Sequence, residues 1–132
     1  MKILQPPGWP RPKGYANGVM AEGKSVFLGG MVGWDKTETI RSDDFVDQVR
    51  QALLNIVTVL AEAGAGPEHI TRMIWYIKDR YEYLNSLKET GRVYREIIGS
   101  HYPAMTVVQV SDLIEDRAKL EIETTAVIPH VD

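Results

Sequence analysis

The sequence predicts an α+β fold in the order β-β-α-β-α-β-β, with two helices covering one face of a sheet. Three observations carry this. Apolar residues recur at helical spacing from Phe45 to Ala63, they recur again from Leu84 to Ile98, and β-prone runs of strand length lie before, between and after these stretches. With 132 residues the chain has room for one domain. We therefore expect 1–132 to fold as one unit, with residues 1–14 as an arm.

The arm holds Pro6, Pro7, Pro10 and Pro12, four of the seven prolines. Proline cannot donate to a ladder or continue a helix, so this segment should lie extended over a surface. Ser25-Val26-Phe27-Leu28 follows the turn-like Glu22-Gly23-Lys24, so residues 18–32 read as a hairpin. Next comes a helix carrying Phe45, Val49, Ala52, Leu53, Ile56, Leu60 and Ala63, with Ser42 as N-cap, Asp43 and Asp44 at the positive end of the dipole and Gly64 just past the end. Ile70 to Lys78 is apolar on both parities and reads as a strand covered on both faces. A second helix spans 84–98 with Leu84, Leu87, Tyr94, Ile97 and Ile98 inward. Residues 106–110 and 119–128 are strands, the last with Leu120, Ile122, Ala126 and Ile128 on one face and Glu121, Glu123 and Thr125 on the other. Two helices cover one face only. The uncovered face mixes carboxylates with apolar residues, and association of identical subunits is a simple way to bury it.

Composition narrows function. Hydrophobic residues make up 44% and charged residues 25%, ordinary globular usage. Zero cysteines exclude disulfides, thiolate metal sites and cysteine nucleophiles. A net charge of -3 argues against a nucleic-acid partner, which wants a basic surface. No apolar run approaches the ~20 residues that span a bilayer, and the proline-broken start does not suit a signal peptide, so we expect no membrane partner and a cytoplasmic location.

Few residues suggest chemistry. His69, His101 and His130 lie far apart with no carboxylate at ligand spacing, so we expect no metal site. Gly29-Gly30 ends a strand without the lysine-serine pair of a phosphate loop; its bare backbone either lines a small-ligand cleft or marks a bulge. Glu121 and Glu123 stand ~7 Å apart along one strand face. On an open face they are simply solvated. Under a second subunit they must be paired, hydrated or functional, and a partly buried glutamate is a competent general acid-base. Tyr15 alone reads as a turn residue, and Met105 alone as core.

The collinear stretches Gly14-Tyr15-Ala16-Asn17-Gly18, Phe27-Leu28-Gly29-Gly30, Asn55 to Gly64, Ile77-Lys78-Asp79, Val93-Tyr94, Pro103-Ala104 and Leu120-Glu121-Ile122-Glu123 resemble the Rid (YjgF) family of enamine and imine deaminases. The resemblance covers nearly the whole chain after the arm. It implies a chorismate-mutase-like fold with a mixed sheet and a homotrimer with a ligand cleft between each pair of subunits. It also implies hydrolysis of small reactive enamines or imines to carbonyl compounds and ammonia, without a cofactor. In the family, a glutamate on the last strand positions water, an arginine after Pro-Ala clamps the substrate carboxylate, and an early tyrosine and the glycine backbone line the cleft. Carried onto this chain, the glutamate is Glu121 with Glu123 beside it, the tyrosine is Tyr15 and the backbone is Gly29-Gly30. Met105 stands where the arginine would be. Arg11 or Lys13 of the arm is then a candidate for the missing charge. A family asparagine falls at Gly91, and the stretch from Asp79 to Gly91 is several residues longer than the family's.

Two readings follow. One is a specialised deaminase whose Met105 accepts a more apolar substrate. The other is a non-catalytic trimer that binds a small metabolite. A ribonuclease label also attaches to the family, but this acidic chain shows no basic-aromatic stripe to support it.

Overall fold

The computed structural model describes residues 1–130, built around a four-stranded mixed sheet. The elements in chain order are β1 (Lys2–Ile3), β2 (Val19–Met20), β3 (Lys24–Val32), α1 (Phe45–Glu62), β4 (Ile70–Ile77), α2 (Arg80–Leu84), α3 (Leu87–Ile97), β5 (Ala104–Gln109) and β6 (Leu120–Ile128), with a 3-10 turn at Pro67–His69 leading into β4. The strand order is β3-β6-β4-β5, antiparallel except for the parallel β4–β5 pair. Helices α1 and α3 pack on one face. Between them and the sheet lies the core of Val49, Leu53, Ile56, Leu60, Ile70, Met73, Ile77, Leu120 and Ile122, each at most 2% exposed. No helix among the described residues is long and apolar enough to cross a membrane.

Four local expectations change. The hairpin over 18–32 does not form, because β2 pairs with β1 of the arm and β3 pairs with β6. Nine-residue β6 offers β3 a matched partner, whereas β2 has two residues to give. Residues 16–24 instead cross the end of the sheet, from an Ala16–Ala104 bridge on β5 to Lys24 opposite Ile128 on β6. The N-cap of α1 is Asp44, not Ser42. The Asp44 carboxylate accepts from Asp47 N at 3.0 Å, while the Ser42 hydroxyl accepts from Asp44 N and donates to Asp47. Gly64 keeps its place after the end, at φ 73°.

The second helix breaks in two at Asn85-Ser86. The Ser86 hydroxyl donates to the carbonyls of Glu82 and Tyr83, a local bond that competes with helix propagation. The break turns Leu84 and Leu87 outward and puts Thr90, Val93, Tyr94 and Ile98 inward. Finally, β5 begins at Ala104, two residues earlier than expected. A buried polar residue, Gln48, ties these parts together. Its amide donates to Ser42 O and Arg117 O and accepts from Lys119 N, at 2.8–3.0 Å.

Candidate functional site

Strand period and register decide which side chains can meet. On β6, Glu121 and Glu123 point away from the helices. They stand opposite Tyr76 and Ile74 of β4, and beyond these lie Val108 and Thr106 of β5. Phe27 of β3 joins this uncovered face at 77% exposure, and Val108 is 41% exposed. The two glutamates differ in their surroundings. Glu123 accepts from the Tyr76 hydroxyl at 3.0 Å, and that bond, with burial and the carboxylate charges, raises the phenol's pKa. Among the described residues no donor reaches the Glu121 carboxylate, which lies instead over Gly30. A Cβ on Gly30 would fall inside that carboxylate.

The glycine pair interrupts the β3–β6 register between Leu28 and Met31. The bulge reading of Gly29-Gly30 therefore holds, and the missing Gly30 side chain leaves the space Glu121 occupies.

Met105 lies on the other face. It pairs with Met73 of β4 and packs against the core from the helix side of the sheet. One protomer therefore does not bring Glu121 and Met105 together. Tyr15 joins Met105, Lys13, Gly14, Tyr83 and Val107 around a hollow of about 270 Å³ at the β5 edge. The Ala16–Ala104 bridge, with Ala16 N donating to Pro103 O at 2.9 Å, holds this arm segment against β5. Arg11 lies in a neighbouring hollow with Ile3, Gln5, Tyr15, His101 and Tyr102, so Lys13 is the arm cation beside Met105. Of the histidines, His69 Nδ1 accepts from Gly66 N at 3.0 Å and His101 Nε2 contacts Ile70 O at 2.6 Å.

A deeper cavity of about 360 Å³ shares Lys13, Tyr83 and Met105 with the Tyr15 hollow and runs in under α3. Its wall includes Trp75, Tyr94 and Tyr102. Trp75 stands edge-to-face with Tyr83, their centroids 6.3 Å apart, and Tyr94 stacks on Tyr102 at 5.4 Å. The Tyr94 hydroxyl donates to His101 O at 2.6 Å, and burial pushes that phenol well above the ordinary range. The Trp75 indole N–H is buried without a hydrogen-bond partner among the described residues.

A family model described as Endoribonuclease L-PSP matches residues 10–128. The chain belongs to this family, the Rid (YjgF) family. RutC family protein PH0854 of Pyrococcus horikoshii is 34% identical to it over 118 residues, 89% of this chain and 90% of that one. A 2-iminobutanoate/2-iminopropanoate deaminase of Dermatophagoides farinae is 27% identical over 128 residues, 96% of each chain. Among solved structures, the Rid protein YyfB of Yersinia pestis superposes with a TM-score of 0.84 at 22% identity, covering 96% of this chain and 98% of that one. Escherichia coli TdcF with bound serine gives 0.68 at 33% identity, covering 97% and 99%. The α+β, chorismate-mutase-like fold of the Rid family is thus the fold of this chain.

In this Rid protein, reasoning from the sequence placed Glu121, Glu123, Tyr15 and the glycine pair on their elements but missed three things. Tyr76 as the partner of Glu123 needed the β4–β6 register. The aromatic cavity needed the packing of α3 over β5. Arg95 in the cavity wall had one sequence cue, a glycine four residues earlier in mid-helix.

Proposed function

We propose that this protein is an enamine/imine deaminase acting in clefts between the subunits of a homotrimer. The observation that carries the proposal is the Glu121 carboxylate, which no donor reaches among the described residues and which lies over the bare backbone of Gly30 on a face that one protomer leaves uncovered. An imine carbon is already electrophilic, so the site must orient it, hold a water and move a proton. Glu121 takes a proton as water adds to the C=N carbon, then returns it to nitrogen. The resulting aminol expels ammonia and leaves the carbonyl compound. Glu123, engaged by Tyr76, keeps the neighbouring strand face in place.

Because Glu121 and the Tyr15–Met105 edge lie on opposite faces of one protomer, the cleft needs the edge of one subunit against the open face of the next. Tyr15, Gly29, Gly30 and Met105 line it, and Lys13 supplies a cation beside Met105. The mite deaminase and the serine-bound TdcF support a small amino-acid-derived ligand. Zero cysteines fit a cytoplasmic setting.

The test measures ammonia released from freshly generated 2-imino acids. We expect turnover by the wild type and none by Glu121→Gln, with ligand affinity retained. Sedimentation should show a trimer; a well-folded monomer at micromolar concentration overturns the proposal. Met105 in the family arginine's place favours a second reading, a trimer that binds without turnover. Ligand affinity in a wild type that releases no ammonia would establish that reading instead.

A further inference from the structure

The cavity under α3 has a chemistry of its own. Trp75 is 3% and Tyr94 5% exposed, so these two rings are fixed walls, and Tyr83 and Tyr102 are held against them by the edge-to-face and stacked contacts. Met105 adds a polarizable thioether. Such a surface suits a flat apolar group. The charged groups of the wall are Lys13 and Arg95, with no carboxylate among them, and neither cation has an ion-pair partner among the described residues. The imbalance calls for an anion.

Gly91 is the second observation. It lines the cavity from the middle of α3, where glycine is a poorer helix former than alanine. Its backbone does not require glycine, since φ there is not positive. A Cβ at this position would stand 3.3 Å from Arg95 Nη1. The missing side chain leaves the guanidinium room one turn away along the helix, against the cavity wall.

We propose that this cavity binds an aryl-bearing carboxylate, its ring against the Trp75–Tyr83 and Tyr94–Tyr102 pairs and its carboxylate on Arg95 and Lys13. At about 360 Å³ the space suits a ligand of that size. Because the cavity shares Met105 and Lys13 with the Tyr15 hollow, the substrate class becomes aryl 2-imino acids, a step that rests on the deaminase reading. Arg95 then takes the carboxylate-binding part that Met105 cannot play.

The binding test needs no turnover. 3-Phenylpropanoate is titrated into the full-length protein while the Trp75 indole N–H resonance is followed, that signal being assigned by its loss in Trp75→Phe. We expect a saturable shift, with propanoate and 3-phenylpropan-1-amine each binding at least tenfold more weakly. Arg95→Gln should weaken the acid about tenfold or more. Gly91→Leu should abolish binding while raising the melting temperature, since leucine favours the helix but fills the cavity. No saturable shift, or equal binding of acid and amine, overturns the proposal whatever the ammonia assay gives. Binding without ammonia release from any imine leaves the cavity standing and removes the deaminase reading.

Discussion

At the scale of single residues, the site depends on an atom that is missing. Gly30 carries no Cβ, and the Glu121 carboxylate occupies the space. Gly30→Ala should push the carboxylate aside. The displaced group is the far end of a flexible, half-buried side chain, so the fold should tolerate it. We expect kcat to fall about tenfold or more, because misplacing a reacting group by an ångström is costly, while the melting temperature moves little; kinetics and a thermal scan on one sample check both. Met105→Arg is the complementary change. It adds a cation beside Lys13 and should raise kcat/KM for 2-iminopropanoate, measured by ammonia release, because a charge-assisted bond to a carboxylate contributes about 1.5–3 kcal/mol. The face of Glu121 was legible because β6 alternates cleanly. Met105 was legible as a core residue, but not as one on the face opposite Glu121. Its direction follows from the parallel register with Met73, which a strand read in isolation does not reveal.

At the scale of elements, α1 sits on β3 through a contact without slack. A Cβ on buried Gly33 would come within 2.7 Å of Gln48 Cα and O, which are main-chain atoms that cannot swing away. Gly33→Ala should therefore cost about 1–3 kcal/mol, read as a lower denaturant midpoint with an unchanged slope. Most of α1 was legible, since a long 3.6-residue period outweighs local noise. Gln48 was not, because nothing in the pattern shows that a carbonyl just before α1 and two backbone groups from the distant loop before β6 converge on that helix position. The break between α2 and α3 escaped for a related reason. Leu84 and Leu87 keep helical spacing, yet the Ser86 hydroxyl bonds locally and turns both leucines to solvent. The expected hairpin failed because strand partners are chosen across the sheet, not by nearness in sequence.

For the molecule as a whole, three phenols link stability to alkaline pH. Burial raises Tyr94 and Tyr83, and the bond to Glu123 raises Tyr76, each from an ordinary value of 10.0. The folded state thus holds protons that the unfolded chain releases. The stability they contribute is complete below pH 10 and is lost as pH rises past it toward the folded values. Melting temperatures between pH 8 and 11 should fall, and Tyr94→Phe should flatten the decline while lowering stability about 1 kcal/mol at pH 8 through loss of the bond to His101. The bridge between Ala16 and Ala104 has a different consequence. It is made entirely of main-chain atoms, and the residues just beside it are Tyr15 and Met105. Tyr15, which is exposed, can be randomised freely, and Met105, which also packs against the core, among long side chains, without disturbing the frame that presents them. A library built on those terms would sort variants by what they accept, with few discarded for failing to fold.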